Sequence, residues 1–382
     1  MNNKNYKVLI FLIFVGLQIT EAQENFQIGM YGLQSPVGTK GYKNGGLDEI
    51  KADINLVKNN INSAVAMRSW NRKKYPTWNF SGYFTNYMKE MYSQTMDEDG
   101  NSGIQVLTPN LYWIFADPVI DGTSEDEKGY NRHLSREVFR KFVFSLLEEE
   151  FKMVKKEVKS NSKTIEILAN NTKRPFLGWY LDDEPLIRNH DISVIIEMAW
   201  FIRDLEKEFF ESHEILSKYP NKLNEYFSPR YIAFDGDDLH KHRKSGRSED
   251  ALFYNLNGKE IKFSKNQIYT VFPEDIVDVL LIDFYQADPL FWNKIINDVE
   301  LEYLHTQRVK PKIMAVIYAN FKKKYDSYYN NKFYTDTFNQ VMNLKIDGVW
   351  IYTWHSSKEN IGAKDIWNSR EIKLNKFIES IE

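Results

Sequence analysis

Short runs of apolar and β-branched residues alternate along the chain with longer segments whose apolar residues recur at helical spacing. This alternation is typical of parallel strands joined by crossover helices. Eight strands can be counted, and a helix or a helix-sized gap follows each one. They span residues 26–32, 61–67, 104–113, 175–183, 230–237, 276–286, 311–320 and 347–355. The pattern predicts an α/β fold, a (β/α)₈ TIM barrel that forms a single domain with loop insertions.

The first 22 residues have a different pattern. Lys4 and Lys7 precede an apolar run over residues 8–17, and the small or polar residues Thr20 and Ala22 follow it. This is the layout of a secretory signal peptide, and the apolar run is too short for a membrane-spanning helix. We expect residues 1–22 to be removed, residues 23–382 to form the barrel, and the protein to be secreted or periplasmic.

The composition indicates which classes of ligand and cofactor the protein can bind. The 50 basic and 53 acidic residues give a formal net charge of −3, which provides no general attraction to nucleic acid or anionic lipid. The chain has no cysteine, so disulfides, thiolate metal sites and a cysteine nucleophile are excluded. Glycine-rich nucleotide-binding motifs are absent as well. With 15% aromatic residues, whose rings can stack on sugars, the composition favours a glycan substrate and no cofactor.

The strongest candidate for chemistry is the segment GWYLDDEP at the end of the fourth predicted strand. Its carboxylates Asp182, Asp183 and Glu184 are consecutive, and mutual repulsion makes such a cluster costly at a strand end. In TIM barrels the active site lies at the carboxyl ends of the strands. The alternative is that these acids cap the next helix or pair with a basic loop. Their position at the end of a barrel strand favours a catalytic site.

Strand alternation assigns a direction to these side chains. If the apolar residues Trp179 and Leu181 face the helices, then Tyr180, Asp182 and Glu184 face the barrel axis. Two neighbouring carboxylates push their pKa values apart, so one can stay ionised while the other holds a proton. We therefore expect Glu184 to be the proton donor and Asp182 to stand directly below it.

Two other strands end in residues suited to a sugar site. On the sixth strand, Asp283 and Tyr285 should share the face that reaches the barrel mouth. On the eighth, the rings of Trp350, Tyr352 and Trp354 should point inward. Trp350 is expected to fill the barrel interior, whereas Trp354 is a candidate platform for a sugar ring.

The segment GWYLDDEP resembles the fourth-strand motifs of (β/α)₈ glycoside hydrolases. Asp182-x-Glu184 is similar to the tail of the chitinase-like DxxDxDxE motif, and Asp183-Glu184 is similar to the Asp-Glu pair of hexosaminidase-like families. The earlier chitinase-like aspartates are replaced here by Leu177 and Tyr180. The seventh strand ends at Tyr318 and Asn320 with no carboxylate, whereas many barrel glycosidases place their nucleophile there.

The resemblance implies substrate-assisted, retaining hydrolysis of N-acetylhexosaminides, in which the 2-acetamido group of the substrate is the nucleophile. In that mechanism Glu184 protonates the glycosidic oxygen, and Asp182 or Asp183 orients the acetamide. Tyr285 hydrogen-bonds the acetamide, and Trp354 packs beneath the sugar ring.

Two other interpretations stay open. A conventional pair of carboxylates, Asp283 with one acid of the fourth strand, would need no acetamido sugar. A barrel that has lost catalysis would use the same acids only to bind carbohydrate.

Several further residues are candidates for substrate contact because they lie at predicted strand ends. These are Tyr180, Asn110, Asp235, Tyr318 and Asn320. The loop after the fifth strand also contains Asp237, Asp238, His240 and His242, a composition found in zinc sites. The basic residues interspersed there favour a solvated loop of mixed charge, so no metal is expected.

Overall fold

A computed structural model of the protein describes residues 26–31, 47–65, 80–115, 132–185, 190–218, 227–235, 253–256, 259–262, 268–284, 289–318, 321–322, 340–341, 343–352, 360–361 and 363. The predicted signal peptide lies outside these residues. So does the segment 369–381, which the sequence predicts to be the closing helix.

Eight parallel strands form a closed barrel in which each strand pairs with its neighbours in sequence and the last pairs with the first. The prediction of a (β/α)₈ barrel is therefore confirmed. The strands are β1 (Gln27–Tyr31), β2 (Ser63–Val65), β3 (Gln105–Leu107), β4 (Phe176–Asp183), β5 (Arg230–Asp235), β6 (Val279–Phe284), β7 (Lys312–Tyr318) and β8 (Gly348–Tyr352).

Helices cover the outside of the barrel. They are α1 (Leu47–Val57), α2 (Phe80–Thr95), α3 (Tyr112–Phe115), α4 (Arg132–Val158), α5 (Asn161–Leu168), α6 (Ile192–Ser212), α7 (Ile215–Lys218) and α8 (Pro289–His305). Asp191 caps α6 by accepting a hydrogen bond from the N–H of Ser193, which satisfies one of the unpaired donors at the helix start. None of the helices in the described part of the chain is long and apolar enough to cross a membrane.

The strands are apolar on both faces because each is buried on both sides. Outward side chains pack against the helices in one large cluster. Inward side chains fill the barrel in a second cluster, so the barrel is a packed core and not a pore. The inner cluster consists of Tyr31, Val65, Leu107, Leu177, Tyr180, Tyr231, Ala233, Val279, Leu281, Met314, Val316 and Trp350, with Tyr352 packed against it.

The amino end and outer face of β4 are held by buried polar contacts. The guanidinium of Arg174 pairs with the carboxylate of Glu150, which also accepts the N–H of Phe176 at 3.0 Å. Farther along, Nε1 of Trp179 donates to Glu206 on α6 at 2.9 Å. These contacts fix β4 against α4 and α6. They therefore also fix the position of its acidic end along the barrel axis.

The third strand is shorter than predicted. The sequence pattern placed it over residues 104–113, but β3 ends at Leu107 and α3 begins at Tyr112. Pro109 cannot donate to a strand ladder, and the side chain of Asn110 accepts the N–H of Tyr112 at 2.9 Å, which starts the short helix.

Two small antiparallel sheets accompany the barrel. Phe253–Leu256 pairs with Lys259–Lys262 within the long segment after β5, where the sequence predicts only a solvated loop. Phe321–Lys322, directly after β7, pairs with Asn360–Ile361, which follows β8. The second sheet therefore ties together two loops at the carboxyl end of the barrel.

Candidate active site at the carboxyl end of the barrel

The end of β4 contains a bulge that changes the direction of its acidic side chains. Tyr180 is aligned with Tyr231 of β5, but the next aligned pair is Asp182 with Ile232, so one residue of β4 is extra. Asp183 is then aligned with Ala233, whose side chain belongs to the inner cluster, whereas Ile232 belongs to the outer one. The predicted alternation is wrong at this point: Asp183, and not Asp182, follows Tyr180 on the inner face.

Tyr180 connects Asp183 to the barrel interior. Its hydroxyl donates to Oδ1 of Asp183 at 2.9 Å, and it is also hydrogen-bonded to Tyr31 at the end of β1. Burial raises the pKa of both tyrosines well above the usual value of 10.0, and nearby carboxylates raise it further. Both hydroxyls therefore stay protonated and act as hydrogen-bond donors.

Asp283 of β6 faces the same group of residues. It lies two positions after the inward-facing Leu281, and only 5% of it is exposed. After burial, the negative charge of Asp283 is the larger cause of the raised pKa of Tyr31, and that of Asp183 is the larger cause of the raised pKa of Tyr180. Carboxylates from both β4 and β6 thus raise the pKa of the same pair of tyrosines.

Glu184 lies directly after β4 and is partly exposed. Its N–H donates to the carbonyl of Ala233 at 3.0 Å, which continues the pairing with β5 by one residue. Its φ angle is 53°, a left-handed conformation that costs a non-glycine residue about 1–2 kcal/mol. A strained backbone at an acidic strand end is typical of functional sites.

Asp182 is completely buried and is surrounded by hydrogen-bond donors. Its Oδ1 accepts the side-chain N–H of Asn110 at 3.0 Å and the backbone N–H of Asp183 at 2.8 Å, and its Oδ2 lies 2.6 Å from Nδ1 of His190. Burial raises the pKa of this carboxyl, and the three donors oppose that effect. The prediction that Asp182 stands below Glu184 on the barrel axis is therefore wrong, and Asn110, predicted to contact sugar, contacts Asp182.

His190 is a further member of this cluster, and the sequence pattern did not indicate it. Its imidazole stacks on Tyr112 with 3.9 Å between ring centroids and 8° between ring planes, and it is nearly buried. The available signal was a histidine seven residues after the end of β4 and directly before Asp191, the cap of α6. It was not recognised because the partner ring comes from the unpredicted helix α3.

The rings of Trp350 and Tyr352 on β8 point inward, and Trp350 fills the barrel interior, as predicted. Trp350 is fully buried, and its Nε1 donates to Gln27 at 3.3 Å. Tyr352, one step nearer the mouth, is partly exposed and lies 5.5 Å from the ring of Tyr31. Tyr31 is thus an aromatic residue close to the acids, and Tyr352 lies next to it; the sequence indicated neither as a site residue.

Some predicted site residues cannot be placed. Tyr285, Asn320 and Trp354 lie outside the described residues, as does the loop after Asp235 with its two histidines. For Asp235 and Tyr318 the backbone is described, and Asp235 is aligned with Asp283 across β5 and β6. Among the residues that are described, no group of three or more acidic or histidine side chains could hold a metal ion.

A cavity of about 280 Å³ opens at the opposite, amino end of the barrel. Its polar lining includes Asn62, Gln105 and Asp278, and these side chains hydrogen-bond neighbouring parts of the protein. The cavity is therefore separate from the acidic cluster, which lies at the end where TIM barrels carry their active sites.

Comparison with known proteins gives little further information. No protein-family model matches the chain, and no curated protein matches it. Among solved structures, a candidate α-L-fucosidase from Bacteroides thetaiotaomicron aligns over 94% of this chain and 92% of its own, with 10% sequence identity and a TM-score of 0.44. Likeness at this level says nothing about activity, and the barrel assignment depends on the strand order alone.

Proposed function

We propose that the protein is a glycoside hydrolase whose active site is the carboxyl end of the barrel. The observation that carries this proposal is the arrangement at the end of β4, where Asp183 is held on the inner face by Tyr180 and Glu184 follows it at the mouth. A pair of acidic groups, one protonated and one ionised, is what cleavage of a glycosidic bond requires.

In the mechanism that we propose, Glu184 is the general acid and Asp183 is its partner. The carbonyl oxygen of the substrate's 2-acetamido group attacks the anomeric carbon while the glycosidic C–O bond breaks, and Glu184 gives its proton to the leaving oxygen. Asp183 holds the acetamide N–H and stabilises the positive charge that develops there. Water then attacks the anomeric carbon and breaks its bond to the acetamide oxygen, which regenerates the acetamide, while Glu184 takes a proton from the water, and the product keeps the anomeric configuration.

A second mechanism is favoured by the convergence of two carboxylates on Tyr31 and Tyr180. Asp183 accepts the hydroxyl of Tyr180, and Asp283, two positions after the inward-facing Leu281, also raises the pKa of both tyrosines. In a conventional mechanism one of the two aspartates forms a covalent bond to the anomeric carbon, and Glu184 again protonates the leaving group. This route needs no acetamido group on the sugar.

A substrate screen separates the two mechanisms. The purified protein is assayed on aryl N-acetylhexosaminides and on plain aryl hexosides, with and without a thiazoline that mimics the cyclised acetamide. Hydrolysis of the acetamido sugars that the thiazoline inhibits supports the first mechanism, whereas hydrolysis of plain hexosides alone contradicts it. Binding of glycans with no hydrolysis of any substrate would overturn the proposed function.

The N-terminal pattern supports a proposal about location. Export by the signal peptide would bring the enzyme to glycans outside the cytoplasm. Mass spectrometry of the N-terminus of the exported protein would find a start near Gln23, and an intact Met1 in that material would contradict this.

A further inference from the structure

The contact between His190 and Asp182 lies behind the proposed acidic pair. Nδ1 of His190 is 2.6 Å from Oδ2 of Asp182, and the two side chains are 6% and 0% exposed. The imidazole plane is fixed by the ring of Tyr112, whose hydroxyl accepts the N–H of Asp191 at 3.2 Å. A histidine held on its face by an aromatic ring and on its edge by a carboxylate has little rotational freedom.

Asp182 transmits this constraint to the next residue. Its other oxygen, Oδ1, accepts the backbone N–H of Asp183 at 2.8 Å. The side chain of Asp182 is therefore the acceptor that fixes the peptide between the two aspartates, at the position where β4 bulges. On the far side, the N–H of Glu184 is held by Ala233.

We propose that His190 is a positioning residue for Asp183 and Glu184, acting through the carboxylate of Asp182. This inference rests on the proposed function, because it concerns the same acidic pair. Without the donor at Nδ1, Oδ2 of the buried carboxylate of Asp182 loses its partner, and nothing then fixes the plane from which Oδ1 accepts the N–H of Asp183. Glu184 is in a left-handed conformation, so the surrounding contacts must determine where its side chain points.

The side-chain amide of asparagine provides the test, because it places an N–H donor close to the position of Nδ1. In His190→Ala the donor is absent, and in His190→Asn it is kept without the imidazole. We expect His190→Ala to lower kcat at least about tenfold with KM changed less than about threefold, since small misplacements of catalytic groups act on kcat. His190→Asn should recover most of the lost kcat.

His213 offers a matched control. It also stacks on an aromatic ring, that of Phe209, and pairs with a carboxylate, that of Glu148 at 3.2 Å, but it lies at the carboxyl end of α6. His213→Ala should leave kcat and KM unchanged. All variants are assayed well below their melting temperatures, so that a loss of folded protein is not read as a loss of kcat.

The outcomes distinguish the two proposals. If the wild-type protein hydrolyses a glycoside and His190→Ala does so equally well, the positioning role is wrong and the proposed function stands. If His190→Ala and His190→Asn lose kcat to the same extent, the hydrogen bond to Asp182 is not the cause and the positioning role is again wrong. If the wild-type protein hydrolyses no glycoside, both proposals fall.

A ¹⁵N NMR measurement covers the case in which His190→Ala does not fold. In the wild-type protein the Nδ1 of His190 should carry its proton in a strong hydrogen bond, and Asp182→Asn should weaken that signal. An Nδ1 that is unprotonated at neutral pH would overturn the proposed arrangement without reference to activity.

Discussion

The hydroxyl of Tyr180 donates a 2.9 Å hydrogen bond to Oδ1 of Asp183, which places the second of three consecutive acids on the inner face of the barrel. Asp182 is thereby directed away from the axis and toward Asn110 and His190. Asp182 is thus buried among hydrogen-bond donors and Asp183 is on the inner face, whereas Glu184 lies one residue beyond the end of β4 and is partly exposed.

Substitution of Tyr180 by phenylalanine tests the contact with Asp183. The ring stays in the inner cluster, but the carboxylate loses a donor whose bond is worth about 1.5–3 kcal/mol. We expect Tyr180→Phe to lower kcat/KM by about tenfold to a hundredfold in steady-state assays. Tyr231→Phe is the control, because Tyr231 is equally buried but contacts Gln27 at the amino end. Equal losses in the two variants would mean that the effect comes from barrel packing and not from Asp183.

The two aspartates should respond in opposite ways to the same change. Asp183→Asn keeps a hydrogen-bond acceptor for Tyr180 but loses the charge, so kcat should fall about 10²–10³-fold while stability changes by less than about 1 kcal/mol. Asp182→Asn leaves Nδ1 of the buried His190 without its carboxylate acceptor, and we expect a loss of about 1–3 kcal/mol in the free energy of unfolding. Urea unfolding and steady-state kinetics on both variants check this. A stable but inactive Asp182→Asn would favour the original prediction from strand alternation.

The contrast between these residues shows what the sequence could and could not predict. Apolar runs at regular intervals were sufficient to predict eight strands and the barrel, because burial on both faces leaves a clear pattern. The same pattern gave the inward direction of Tyr180, Asp283 and Trp350. The direction of Asp182 was predicted wrongly because a bulge adds one residue without any change in composition.

The site residues that were missed depend on contacts between distant segments. His190 and Tyr112 are 78 positions apart, and their stacking could be predicted only if β3 had been known to end at Leu107. Tyr31 at the end of β1 acquires its role from Tyr180 and Asp283, which belong to other strands. Single-strand patterns do not contain such information.

The pH dependence of Asp182 provides another prediction. Burial raises its pKa above the usual 3.8, so its contribution to stability is complete below that pH and is lost as the pH rises through the folded-state pKa. His190 opposes the shift, so His190→Asn should raise the pKa of Asp182 further and move that loss to higher pH. A ¹³C NMR titration of the Asp182 carboxyl, assigned with Asp182→Asn, measures both values. A lower pKa in His190→Asn would contradict the assigned contact.

Packing inside the barrel leads to a prediction about Gly29. This residue is aligned with Trp350 on the neighbouring strand, and a Cβ at position 29 would overlap the indole ring. Gly29→Ala should destabilise the protein by about 1–3 kcal/mol. Trp350→Phe makes room for a methyl group at position 29. In urea unfolding, the double variant should therefore lose less unfolding free energy than the sum of the losses in the two single variants. Strict additivity would mean that the residues are not in contact.

The role of Glu184 as proton donor is tested most directly by the dependence of hydrolysis on the leaving group. Glu184→Gln cannot protonate the glycosidic oxygen, so kcat/KM on methyl or natural glycosides should fall about 10²–10⁴-fold. Dinitrophenolate is a stable anion that leaves without a proton, so the hydrolysis of dinitrophenyl glycosides by Glu184→Gln should be much less affected. Glu166→Gln, an exposed substitution on α5, is the control and should change neither rate. Equal rates for Glu184→Gln and the wild-type protein on the poor leaving groups would contradict the account.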